Sequence, residues 1–428
     1  MEDASTGKIL PVPHEMQIKR VVVTGLGVLT PIGTGVEEFW SALKAGINGI
    51  ARVTHFDVSE YRSTLAGEVK NFNPSDWIEK KAAKRMDRFA QFGLAAAGMA
   101  FEDAGLDSHR FDPTRIGVIV GSGIGGCDSI QELYDDLFNK SPRNVNPFSV
   151  SKIVVNMAAC GISIRYGLKG PLSAPSVACS TGSNAIGDAF RIVQRGEADI
   201  MLAGSSEACI SPMAYGGFCG SRSMSTSDAP GSASRPFDRD RDGFIMGEGA
   251  GIAVLEARDH AIARGARIYA ELIGYGNTSD AYHLTAPDPE GDGMARVMET
   301  ALHDAGVDRT EVGYINAHGT STPLNDRCES MAIARVFGSH AANLKISSTK
   351  SMIGHLLAAA GSVEFVATVM SIRTGQVHPT INYQNSDPDC PHDYVIGSVE
   401  TVDHEIAISN SFGFGGGNAC LVVRKFRE

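Results

Sequence analysis

The chain has 428 residues, 43% hydrophobic and 20% charged, with 49 acidic against 38 basic side chains and a net charge of −11. That length supports one large unit or two compact ones with ample core, and the composition is too apolar for disorder. The acidic balance speaks against nucleic acid or an anionic membrane as partner, and no apolar run is long enough to insert into a bilayer.

Residues 1–18 open acidic, carry Pro11 and Pro13, and read as a flexible leader, neither a secretory signal nor an Arg-rich transit peptide. The eight cysteines contain no C-x-x-C pair, which removes zinc-ribbon and thioredoxin-like readings and suits a reducing cytoplasm, an organellar stroma or matrix being the alternative. Lys19 to Gly25 is a buried strand with a glycine turn, and a helix follows over Val36 to Ala45. Between Glu79 and Gly105 a long helical stretch carries Lys81, Lys84, Arg85 and Arg88 on one stripe, either a solvated face or a docking surface. The strand Ile116–Gly121 runs into a G-x-G-x-x-G turn ending at Gly126. The acidic residue that a dinucleotide site needs about twenty positions on is missing, so that reading is rejected.

Cys179, in Ser176-Val177-Ala178-Cys179-Ser180-Thr181-Gly182, sits near the first turn of an apolar helix. The positive end of the helix dipole there favours a thiolate. Asp199 to Ala208 is a further buried strand. Asp238, Asp240 and Asp242 imitate the opening of a calcium loop, but the bidentate Glu falls on Gly249 and two arginines interrupt the set, so a salt-bridged turn is expected and no metal. From Ala270 the order repeats. Val118 to Gly123 is echoed by Tyr314 to Gly319, and the helix after Cys179 by one opening near His355. The expected fold is α/β, two pseudo-repeated halves over 19–265 and 266–428, with mostly parallel sheets and buried helices in layers.

Three segments join Cys179 as candidate chemistry: Asn316 to Thr322, Ser347 to His355, and the glycine-rich Asn410 to Asn418. With these motifs the chain resembles the β-ketoacyl-acyl-carrier-protein synthases of the type II elongating kind, in the condensing branch of the thiolase-like fold, from about Lys19 to Phe426. Two positions depart from that pattern: Gly417, where the family commonly has Thr, and Asn325, where Gly is usual. The resemblance implies that Cys179 carries an acyl group as a thioester and that its backbone N–H with that of Phe414 forms an oxyanion hole. It implies that His318 and His355 donate through Nε2 to a malonyl-derived enolate, with Lys350, Glu329 and Asp326 in support. Thr320 and Thr322 would bind the pantetheine arm, Phe414 and Asp280–His283 would act as gates, and Ile124 would line the acyl pocket near the interface of a homodimer. Lys81, Lys84, Arg85 and Arg143 would dock an acyl carrier protein delivering malonyl and acyl thioesters. The phosphopantetheine arrives on that carrier, so no cofactor of the chain's own is implied.

Other members of the fold fit less well. A biosynthetic thiolase needs a second cysteine in the C-terminal glycine loop, and Cys420 lies beyond it. A type III priming enzyme would show Asn at His355, and a non-catalytic chain-length subunit would lack Cys179. The ketosynthase subunit of a type II polyketide system stays open as the alternative.

Overall fold

A computed structural model describes residues 18–107 and 110–427; the expected leader lies outside these residues up to position 17. Among the described residues ten strands line up in one sheet: β1 (Val21–Thr30), β2 (Ile116–Gly121), β3 (Leu172–Ser173), β4 (Ile200–Glu207), β5 (Gly249–Ala257), β6 (Ala270–Ser279), β7 (Val312–Asn316), β8 (Lys345–Ser347), β9 (Ile406–Phe412) and β10 (Gly417–Arg424). An eleventh short strand, Gly33–Thr34, hairpins onto β1.

The spatial order is β8-β7-β9-β10-β6-β1-β5-β4-β2-β3. It reads the same from either end, since β1 and β6 occupy matching places, as do β5 and β10, β4 and β9, β2 and β7, and β3 and β8. Parallel pairing is confined to the two wings, where β2 joins β3 and β4 and β7 joins β8 and β9. The centre is antiparallel, and β1 meets β6 at the join. The sheet is therefore mixed.

Helices cover both outer faces and fill the space between the halves. α1 (Arg88–Asp103) packs on β1, and α3 (Asp292–Ala305) on β6. Both contacts depend on absent side chains: a Cβ on Gly27 would lie 1.9 Å from Ala96 O, and one on Gly276 would lie 2.3 Å from Val297 O. Between the halves lie α2 (Thr181–Gln194) and α5 (Ala360–Thr374), each touching the other and strands of both halves. α5 is buried from Ala360 to Ile372, so its sequence has no separate polar face within that span. α4 (Pro323–Phe337) packs beside α3. Among the described residues no helix is long and apolar enough to cross a membrane.

Candidate active site

The nucleophile's position follows from a tight turn. Ala178 to Ser180 form a single 3-10 turn ahead of α2, and Ala178 sits at φ 46°, which costs a non-glycine residue energy. Thr181 holds the turn. Its hydroxyl donates to Ala178 O at 2.7 Å and accepts from Val177 N–H at 2.8 Å. Cys179 is thereby turned into a cavity of about 400 Å³ that is also lined by His318, His355, Thr320, Thr322 and Phe414. The second half repeats the device: Leu357, at φ 50°, opens a 3-10 turn ahead of α5, two residues after His355.

The thiolate expected from the helix start is not the resting state. Burial pushes the Cys179 thiol up to about 11, against the opposing pull of the Phe414 N–H on its sulfur and the charge of Lys350. Desolvation of the anion outweighs the dipole because Cys179 is only 8% exposed.

Both imidazoles have one tautomer imposed on them. His355 Nδ1 accepts the Leu357 N–H at 3.2 Å. His318 Nδ1 lies 3.3 Å from Lys350 Nζ, which also donates to His318 O at 2.6 Å. A backbone amide and a lysine ammonium can only donate, so Nδ1 is the acceptor in each ring and Nε2 carries the hydrogen. Burial and the Lys350 charge push both histidines well below their ordinary pKa, so each is neutral. The rings stand edge to face, 5.4 Å apart. The cavity thus holds two N–H donors at fixed positions beside a buried sulfur.

The supporting residues are arranged differently from expectation. Lys350 is buried and pairs with Glu364 on α5, not with Glu329. Glu329 instead accepts the backbone N–H groups of His318 and Gly319 at 2.9 and 2.8 Å, anchoring the histidine loop. Burial pushes its carboxyl up to about 7. Asp326 belongs to neither: it accepts the Phe237 N–H at 2.8 Å and lies 3.6 Å from Arg241. Sequence reasoning passed over Glu364, although a lone carboxylate inside Val363-Glu364-Phe365-Val366 signals a buried ion pair.

The Gly121–Gly126 turn shows what replaces a phosphate. The buried carboxylate of Glu207, ending β4, accepts from Ser122 Oγ and from Gly123 N–H, both at 2.8 Å. Ile124, in that turn, is half-buried against an apolar cluster that includes Leu357. Leu357 lines the cavity and Ile124 does not.

Two loops that line the cavity are tied to each other. Gly415 N–H donates to Leu284 O at 2.8 Å, Asp280 N–H to Gly416 O at 2.9 Å, and Asn418 Nδ2 to Asp280 Oδ1 at 2.6 Å. Gly415 and Gly416 adopt φ 82° and 76°, conformations open to glycine. A Cβ at Gly417 would meet Val177 Cγ1 at 2.7 Å, so the end of this loop presses on the nucleophile's turn.

The basic stripe is broken. A short helix ends at Ala83 and α1 starts at Arg88, which turns inward to pair with Glu248. Lys81, Lys84, Arg85 and Arg143 are exposed, and none forms an ion pair among the described residues. Arg85 lies over the Phe148 ring at 4.6 Å, which brings Arg143's loop to the same surface. The aspartate turn is salt-bridged as expected, through Arg235–Asp238, Arg239–Asp240 and Arg241–Asp387.

A doubled sheet closed around two central helices, with a cysteine at the start of one and a histidine before the other, is the thiolase-like fold in its cysteine–histidine–histidine form. Family comparison narrows the class. Residues 18–261 match the β-ketoacyl synthase N-terminal domain and residues 269–384 its C-terminal domain. The chain belongs to the β-ketoacyl synthase family. It is 51% identical over 410 residues to a 3-oxoacyl-[acyl-carrier-protein] synthase 2 of Staphylococcus aureus, covering 96% of this chain and 99% of that one. A synthase of the same description from Synechocystis is 48% identical, with the same coverage. Among solved structures, a β-ketoacyl synthase from Burkholderia phymatum superposes with a TM-score of 0.90 at 38% identity, over 96% of this chain and 100% of that one. A type II polyketide ketosynthase in complex with its acyl-carrier protein superposes at 0.89 and 37%, with equal coverage.

Proposed function

We propose that the protein is a 3-oxoacyl-acyl-carrier-protein synthase that elongates fatty acyl chains by decarboxylative Claisen condensation. The observation that carries this reading is the pair of neutral imidazoles, both with Nε2–H, facing the cavity that holds Cys179. In the first step the Cys179 sulfur attacks an acyl thioester carbonyl; the pantetheine thiol leaves and takes up the proton. The anionic tetrahedral oxygen meets the N–H groups of Cys179 and Phe414. In the second step the malonyl thioester loses CO₂, and the electron pair of the broken C–C bond becomes an enolate whose oxygen accepts from His318 and His355. Neutral donors suit this task, because they stabilise developing charge without first protonating the substrate. The enolate carbon then attacks the acyl-Cys179 carbonyl, and collapse expels the Cys179 thiolate, which is reprotonated.

Thr320 and Thr322 take the phosphopantetheine arm, which arrives on an acyl carrier protein docked at Lys81, Lys84, Arg85 and Arg143. The chain needs no cofactor of its own. A homodimer is supported by the exposed apolar side chains Tyr134, Phe138, Phe148, Val150 and Ile164, and by β3, an unpaired sheet edge. The setting is the cytoplasm. A ketosynthase role in polyketide assembly is the second reading, favoured by the likeness to the polyketide ketosynthase at 37% identity and opposed by the 51% shared with the 3-oxoacyl-[acyl-carrier-protein] synthase 2.

The test is intact-protein mass after incubation with acyl-carrier protein. Wild type should gain one acyl group and Cys179→Ala none, and adding malonyl-carrier protein should release a chain two carbons longer. Acylation that persists in Cys179→Ala would remove the assignment.

A further inference from the structure

One buried amide on the cavity wall is not used by the chemistry above. Asn325, in the first turn of α4, lines the cavity beside Thr320 and Thr322 and is 9% exposed. Its Nδ2 donates to Asp326 Oδ1 at 3.1 Å. A carboxylate oxygen accepts and does not donate, so this bond settles which end of the amide is nitrogen. Asp326 is itself held from behind, its other oxygen taking the Phe237 N–H at 2.8 Å with Arg241 at 3.6 Å. The opposite end of the amide, Oδ1, accepts no hydrogen bond among the described residues, yet it is not one of the sealed, unsatisfied buried atoms. Asn325 itself lines the cavity. Next to it the hydroxyls of Thr320 and Thr322 lie 2.8 Å apart, and Thr320 Oγ1 reaches Asp326 Oδ1 at 3.5 Å. With Thr320's hydrogen drawn to the carboxylate, Thr322 is the donor to Thr320 Oγ1, and the pair is left with lone pairs only. This part of the wall therefore offers acceptors, the amide oxygen of Asn325 beside hydroxyl lone pairs, which suit the N–H groups of a chain bearing secondary amides.

We infer that Asn325 Oδ1 accepts an amide N–H from the arm that carries the thioester, making Asn325 a binding residue that favours amide-bearing donors over plain thioesters. The inference rests on the reading of Cys179 as acyl acceptor. Asp326 then has a defined part: it orients Asn325 and Thr320 and takes no share in the reaction at the sulfur.

The experiment compares two donors, S-hexanoyl-pantetheine, with two secondary amides, and S-hexanoyl-2-mercaptoethanol, with none. The acylation rate of Cys179 is followed by intact mass. Asn325→Ala should lower kcat/KM for the pantetheine donor, relative to the amide-free donor, by roughly 3- to 10-fold, the loss of one neutral hydrogen bond. Asn325→Ser, which keeps an oxygen acceptor, should recover part of that ratio, and thermal melts of both variants establish that they are folded. An unchanged ratio in a wild-type background that acylates normally overturns this inference alone. A wild type that takes the acyl group from neither donor overturns the Cys179 reading and this inference with it.

Discussion

At the residue scale the site is governed by desolvation. A helix start lowers a thiol's pKa and burial raises it, and at Cys179 burial wins, leaving the thiol at about 11. The sulfur is thus a protonated thiol at neutral pH. This has a measurable pH signature. In the unfolded chain the thiol titrates near ~8.5, so the native state holds its proton more tightly. That preference contributes stability below pH ~8.5 and loses it as pH rises toward 11. Urea midpoints of wild type should fall more steeply over that window than those of Cys179→Ala. Alkylation of Cys179 by iodoacetamide should climb across the same window, with no plateau near pH 7. A plateau there would mean the helix dipole prevails.

At the element scale the two sheet halves are held to their outer helices by glycines that admit backbone. Gly27 on β1 touches Ala96 O, where a Cβ would sit at 1.9 Å. A methyl there must push a helix off the sheet. Gly27→Ala should cost roughly 3 kcal/mol, at the upper end for overpacking. Gly217 is the opposite case: it lies in the helix Pro212–Gly220 and has nothing within 4 Å of its missing Cβ. Gly217→Ala should stabilise by about 0.5–1 kcal/mol through lost unfolded-state entropy. Chemical denaturation of the two variants checks both signs, and equal losses would contradict the contact geometry.

At the scale of the whole molecule, an acidic protein with a net charge of −11 keeps a small basic surface at Lys81, Lys84, Arg85 and Arg143, without ion pairs among the described residues. Such a surface guides an acidic macromolecule more than it binds a small one. Lys84→Glu combined with Arg85→Glu should raise KM for acyl-carrier protein about tenfold at low salt, and the gap should narrow near about 0.5 M salt as screening sets in. Turnover of a short acyl-pantetheine should change little. Steady-state kinetics with both donors decides this, and equal losses would mean that the surface does not dock the carrier.

The local features of this chain were legible from sequence, because each rests on neighbours in the chain. The strands at Val21, Ile116, Ile200 and Val312 follow from apolar runs ended by turns, and the doubled order of elements from their recurrence. The place of Cys179 at a helix start was legible too, as was the salt-bridged aspartate turn. The partners were not. That Lys350 answers Glu364 and not Glu329, that Glu207 fills the glycine turn, that Arg88 leaves its basic neighbours for Glu248, and that Ile124 joins the apolar cluster of Leu357 all depend on contacts between distant segments. The protonation of the site was hidden for the same reason. A sequence shows which groups can ionise; how far each is removed from water, and which donor faces it, is settled only when the halves close around α2 and α5. Desolvation is a property of the packed interior, so the neutral thiol and the two Nε2–H imidazoles belong to the tertiary structure.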